Sequence, residues 1–376
     1  MPRPEARRHR WRGWSVRVAL LSLSLVPTHR ARAQGGVLLQ GILDGEFWAT
    51  DSISRLLTRN AGHPAGLARL QTWVAVEPWA GVVLYAQSQA EGGPAQSEGR
   101  TELYLDQIGV RYTRAPALVV DVGKMPQIVG TFAPRRFSTR NPLIGVPDGY
   151  PLQYPVGAQV SGATRHFDYR AAMLSLPVSH PGYMPDPSAA YRPAVGGGYT
   201  PFVGARIGAS FTRGPYLGEY IPPSLLAGKS WESYRQTITA LDAQFARGYL
   251  ETRAEYGRGT YQIPGRPDVT GTTYYVEAKY TFTPRFFLAA RGERNDYPFI
   301  RPPADSTGSW TSVLTDFSDG EVGAGLRLTA STLLKTSLRL DDWKRSYRYP
   351  DGIRGHAFAV QLSQSFDVMD WVDRQR

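Results

Sequence analysis

The chain has 376 residues, no cysteine, 12% aromatic residues and a formal charge of +11. No run approaches the roughly 20 apolar residues that a membrane-crossing helix requires. The charge is a poor sign of nucleic-acid binding, because residues 1–33 hold eight arginines against one acid and the remaining chain stands at only +4.

The first residues read as an address. Arg3, Arg7, Arg8, Arg10, Arg12 and Arg17 form a basic region, and Val18 to Val26 is an apolar core too short to span a bilayer. Ala31-Arg32-Ala33 then offers a small-x-small cleavage site before Gln34. This layout predicts a cleaved secretory signal peptide over residues 1–33.

From residue 37 the chain reads as a series of strands, near 37–50, 66–77, 81–91, 101–113, 117–124, 154–164, 167–176 and 200–211. Others follow near 233–246, 249–262, 272–282, 286–296, 321–330, 333–344 and 355–367, with a short helical turn near Ser309–Phe317. Short turns alternate with long Pro/Gly-rich connections at 51–65, 92–100, 125–153, 177–199, 263–271, 297–320 and 345–354. Only 212–232 breaks this rhythm, being long where a short turn is due. A further strand at Pro215–Ile221, after a turn at Thr212-Arg213-Gly214, restores it and makes sixteen.

The strand signal is strict alternation, since successive side chains on a strand point to opposite faces. Tyr274, Val276, Ala278, Tyr280 and Phe282 share one face; Tyr275, Glu277, Lys279 and Thr281 share the other. After the turn at Thr283-Pro284-Arg285, Phe286, Leu288 and Ala290 continue the apolar face and Arg291 and Glu293 the charged one. Leu241, Leu326, Leu338 and Phe358 sit on similar apolar faces of other strands, and Phe358, Val360, Leu362 and Phe366 share one near the end. So many amphipathic strands without covering helices would need two large packed sheets in water. A bilayer covers such faces without a second layer, and closure removes the edges. The expected fold is all-β: a transmembrane antiparallel up-and-down barrel of sixteen strands, within a range of about 14–18. It occupies 34–367, with short periplasmic turns, long extracellular loops and a periplasmic tail at 368–376. Trp79, Tyr112, Tyr249, Phe282, Phe286 and Trp343 lie near strand ends, where headgroup-level aromatics are expected.

One hairpin carries a resemblance. Leu103-Tyr104-Leu105-Asp106-Gln107, Arg111 and Leu118-Val119-Val120-Asp121-Val122-Gly123-Lys124 resemble the hairpin entering the third loop of the 16-stranded bacterial outer-membrane porins, loosely the phosphate-selective and general-diffusion kinds. The resemblance implies that residues 125–154 fold into the lumen as a constriction, and that the protein is a homotrimer. Porins of this kind commonly finish on a terminal aromatic; here ten residues follow Phe366. The arginine and lysine ladder of a strongly phosphate-selective pore is not evident.

The candidate constriction residues are Arg135, Arg136, Arg140 and Asp148, whose field would favour anionic or zwitterionic solutes. As a solvated surface loop, the same arginines would instead pair with lipopolysaccharide phosphates or a neighbouring subunit. The candidate pore-lining acids are Asp242, Glu251, Glu255, Glu277 and Glu293, joined by Glu321 and Asp341. The bases are Arg253, Lys279, Arg291, Arg327, Lys335 and Arg339. Near balance implies a wet, weakly selective channel, or a ladder of cross-strand pairs, each worth little alone.

Enzyme motifs mostly fail. Gly228-Lys229-Ser230 has Pro223 where a phosphate loop needs glycine, and neither HExxH nor GxSxG occurs. His63, His166, His180 and His356 are scattered, none at metal-ligand spacing. The expectation is a channel for passive diffusion of small hydrophilic solutes, with no cofactor, no metal and no nucleic-acid partner. Its surroundings are outer-membrane lipid and lipopolysaccharide. A barrel that sheathes a partner, such as an electron conduit, and an outer-membrane hydrolase whose Ser/His site assembles in space stay open as alternatives.

Overall fold

The computed structural model describes residues 36–51, 62–94, 101–132, 135–147, 154–175, 190–217, 225–226, 228–303, 308–345 and 350–368. The expected signal peptide and nearly all of the expected tail lie outside the described residues. The first strands are β1 (Val37–Thr50), β2 (Ala65–Trp79), β3 (Val82–Gly92), β4 (Glu102–Ala115), β5 (Leu118–Lys124), β6 (Val156–Ala163), β7 (Phe167–Leu174) and β8 (Arg192–Phe202). They continue as β9 (Ala205–Pro215), β10 (Arg235–Arg247), β11 (Leu250–Tyr261), β12 (Val269–Thr283), β13 (Phe286–Arg301), β14 (Thr311–Arg327), β15 (Thr332–Arg345) and β16 (Ile353–Asp367). Each pairs antiparallel with its neighbours in sequence. Gly41 opposite Phe366 joins β1 to β16, so the sheet closes on itself and has no edge.

Connections at one end are short, as at 203–204, 248–249 and 284–285; those at the other are longer, and Met125 to Pro155 is the longest. The two faces are inverted relative to a soluble protein. Leu241, Val276, Val322 and Leu340 point outward and are 52–58% exposed, whereas Tyr275, Glu321 and Lys335 on the inner face are 1% exposed. Leaving one large apolar side chain in water costs about 1.5–3 kcal/mol relative to burial. A belt of them round the whole wall therefore requires an apolar surrounding.

The sequence count of sixteen strands is right, but one strand was expected in the wrong place. Thr212-Arg213-Gly214 lies inside β9 and is not a turn, and β9 ends at Pro215, where a separate strand was expected to begin. The additional strand is β8, which begins inside the stretch expected to be the long loop 177–199 and takes the first residues of the strand expected at 200–211. The cause is Gly196-Gly197-Gly198, which erases the alternation and reads as a loop. In the barrel these glycines make room for charge. A Cβ on Gly198 would come within 2.3 Å of the Arg206 guanidinium, and one on Gly196 within 2.9 Å of Arg170 Nε. Arg206 uses that space to pair with Asp168 (2.7 Å) and with Asp242. The turn at Val203-Gly204 is tight for a related reason. Gly204 has φ 94°, and a Cβ there would meet the Ala246 carbonyl at 2.2 Å.

Two smaller expectations also fail. Thr311 opens β14, so the helical turn near Ser309–Phe317 is a strand. Trp343 does not join an outer aromatic girdle; it stacks on fully buried Phe317, ring centroids 4.5 Å apart. Trp79 and Tyr249, by contrast, stand 71% and 65% exposed at the short-turn end.

Candidate functional site

After β5 the chain turns into the barrel rather than over its rim. The neck is held by Met125 N donating to the Pro155 carbonyl at 3.0 Å. Met125, Ile128, Val129, Phe132, Leu143 and Ile144 are all buried. Ile128 and Val129 join an apolar cluster with Leu174 of β7, Ala194 of β8, Ile238 and Ala240 of β10, and Tyr216 beyond β9. That cluster fills the long-loop end on the β7–β11 side with hydrocarbon instead of water.

Beyond it the segment is held by the charged face of the wall. Glu255 accepts from Thr131 N (3.0 Å), Thr131 Oγ1 (2.5 Å) and the Tyr275 hydroxyl (2.8 Å). Arg135 pairs with Glu277, which also accepts from Arg291 Nη1 at 3.4 Å. Arg291 Nη2 donates to Glu321 at 2.7 Å, and Glu321 in turn accepts from Ile144 N (3.2 Å) and Gly145 N (2.9 Å). Lys335 Nζ donates to the Asn141 and Leu143 carbonyls at 3.0 and 2.8 Å. Two glycines permit this closeness: a Cβ on Gly145 would sit 2.5 Å from Glu321, and one on Gly323 2.9 Å from Leu143 Cδ2.

Arg136 turns the other way. It pairs with Asp106 of β4 and lies over the rings of Phe137 (5.3 Å) and Tyr154 (4.8 Å). Phe137 meets Trp73 of β2 edge-on at 4.9 Å. Burial pushes the Tyr154 phenol up, so it stays neutral and adds no charge beside Arg136. β4 and β12 are eight strands apart in either direction round the ring. Adjacent arginines therefore bond to opposite walls, and the segment crosses the bore along a diameter.

Among the described residues, two cavities bordered by this segment lie on the short-turn side of the crossing. The larger, about 1090 Å³, is lined on β1–β4 by Leu38, Ile42, Trp73 and Tyr85, and on the segment by Phe137 and Arg140. The smaller, about 110 Å³, is lined by Arg253, Lys279, Arg285 and Arg327 with Glu251 and Glu277. Thr139 and Arg140 border both. Among the described residues no cluster of His, Asp and Glu could hold a metal ion.

No family model matches the chain, and no curated protein matches it in sequence. Solved structures do match in shape. OmpT carrying a deletion of loop L8, an outer membrane protein of Vibrio cholerae, aligns over 88% of this chain and 99% of its own, with TM-score 0.59 and 11% identity. An anion-selective porin from Comamonas acidovorans covers 89% and 100%, with TM-score 0.57 and 11% identity. Salmonella typhi OmpF, in complex with daunomycin, covers 88% and 97%, with TM-score 0.59 and 11% identity. The chain has the fold of the 16-stranded outer-membrane porins.

Within this porin fold the sequence candidates divide by position. Arg135 and Arg136 are the two ends of the crossing, Arg140 borders both cavities, and Asp148 lies outside the described residues. Glu255, Glu277, Arg291 and Lys335 hold the segment and are buried beneath it. Asp242 pairs with Arg206, Glu293 accepts from Asn295 at 2.7 Å, and Arg339 bonds to Asp319 and Asp341, both at 2.9 Å. Glu251, Arg253, Lys279 and Arg327 border the smaller cavity, where Lys279 donates to Glu251 at 2.8 Å. Asp106 had no site signal in the sequence. It is turned inward by a register shift between Gln87 and Ser88 of β3, where two residues oppose one. No residue pattern announces such a bulge.

Proposed function

We propose that the chain is an outer-membrane porin that passes small hydrophilic solutes down their gradients, with a tilt towards anions and no covalent step. The observation that carries this reading is the closed wall, oily outside and charged inside, crossed by its own segment at 125–147. Such a wall separates lipid from water by side-chain alternation alone. The tilt is supported by Arg253, Lys279, Arg285 and Arg327, which outnumber Glu251 and Glu277 around the smaller cavity. In a narrow, low-dielectric passage such an excess raises the local concentration of counter-ions.

The test is reconstitution of the mature protein in planar bilayers, with reversal potentials in a salt gradient. The expected result is steady conductance with anions more permeant than cations. Arg135→Ala/Arg136→Ala should lower that ratio, because two guanidiniums are lost while Asp106 loses its ion partner and Glu277 keeps only Arg291, so the crossing gains net negative charge. Unchanged selectivity would remove the constriction role, and no steady conductance would remove the porin reading.

Export by residues 1–33 and assembly as a homotrimer belong to the same proposal. One solved OmpT structure is described as the trimer form. Protein purified from outer membranes should begin at Gln34 and show three times the chain mass by light scattering. A retained N-terminus or a monomeric mass would count against each in turn.

A further inference from the structure

The inner face of the wall is not uniform. Along β11–β15 it carries acids and bases, but at the short-turn end of β1–β3 most of its inward positions are apolar, Leu38, Ile42, Trp73, Ala75, Val83 and Tyr85, with Gln40 among them. Leu38 is 40% exposed there, on the larger cavity. Apolar surface wetted inside a charged tube is an unfavourable arrangement that an apolar solute relieves.

The facing side of the cavity supplies positive charge. Phe137 completes the aromatic wall beside Trp73, and Arg140 follows on the same segment. Arg111 lies 5.7 Å over the Tyr85 ring and pairs with Asp121 at 2.8 Å. The carboxylate on this cavity, Asp367, accepts from Gln40 at 2.8 Å. Past Thr139 and Arg140, the smaller cavity is dominated by cations. The space thus presents an oily, ring-lined flank beside a cationic one, with Arg140 at the boundary.

We infer that the larger cavity binds small aromatic carboxylates, the ring against Trp73, Tyr85 and Phe137 and the carboxylate towards Arg140. A neutral sugar would use the rings but not the cations; a simple anion would use the cations but not the rings. The inference rests on the porin reading for the solute's way in, whereas binding itself does not require conduction.

The experiment titrates the mature barrel in nanodiscs with benzoate, followed by saturation-transfer NMR against empty discs. Acetate, benzyl alcohol and glucose are the comparison solutes. Benzoate should bind at least about tenfold more tightly than any of the three. Trp73→Ala and Arg140→Gln should each weaken it about fivefold, as loss of one ring or one guanidinium contact implies. Should Trp73→Ala not fold, Arg140→Gln decides the matter alone. Acetate binding equally well would reduce the site to charge, benzyl alcohol to grease, and tighter glucose binding would make it a sugar site. Each of these overturns the inference. A barrel that conducts potassium chloride without preferring benzoate overturns the site and leaves the porin; one that binds benzoate without conducting does the reverse.

Discussion

Glu321→Ala should release the crossing segment and raise single-channel conductance severalfold. Glu321 is buried and accepts from the buried Ile144 amide, the half-buried Gly145 amide and buried Arg291, so its removal takes an acceptor from three donors. Breaking a buried ion pair from one side typically costs about 3–5 kcal/mol, because the remaining charge loses its partner. Arg291 keeps only the longer contact to Glu277. Glu321→Gln should fall between, since an amide oxygen still accepts from the backbone but carries no charge. Gly145→Ala should act in the same direction, its Cβ pressing on the carboxylate. Conductance and denaturant midpoints measured together decide the case. Wild-type values of both in Glu321→Ala would mean that the clamp does not hold the segment.

Val276→Arg should destabilise the folded barrel by about 2–4 kcal/mol, the usual cost of a cation on the lipid face at mid-depth. Val276 stands midway along β12, points outward and is 57% exposed. Tyr249→Arg, in a short turn at the rim, should cost about 0–1 kcal/mol, since depth sets the penalty. Reversible unfolding in liposomes gives both values. Equal tolerance at the two positions would place the outer face in water and end the membrane reading.

The wall was legible where its residues are large. In β10–β15 the alternation of Leu, Val and Tyr with Glu, Lys and Arg gives faces and turns directly, because each position has a side chain whose polarity can be read. In β8 three glycines carry no such information, and the alternation of short turns with long loops demands a further strand without placing it, so that Pro215–Ile221 stands in for β8. The site was legible as composition and not as arrangement. Arg135 and Arg136 stand out as loop cations, yet nothing local says that neighbours in sequence reach opposite walls. Lys335 and Glu277 read as lining the bore, and their true surroundings depend on a segment far away in the chain lying over them. Asp106 depends on a bulge and Trp343 on a stacking partner, both properties of strand pairing.

The diametric tie has a bearing on the order in which the molecule is made. Arg135 and Arg136 find Glu277 and Asp106 only when strands half a circumference apart already face one another. The brace needs a sheet that already curves through half a circle from β4 to β12, so it locks late in the closing of the wall. Interactions absent until that late stage chiefly slow the opening of the finished cylinder, and they do little to hasten its assembly.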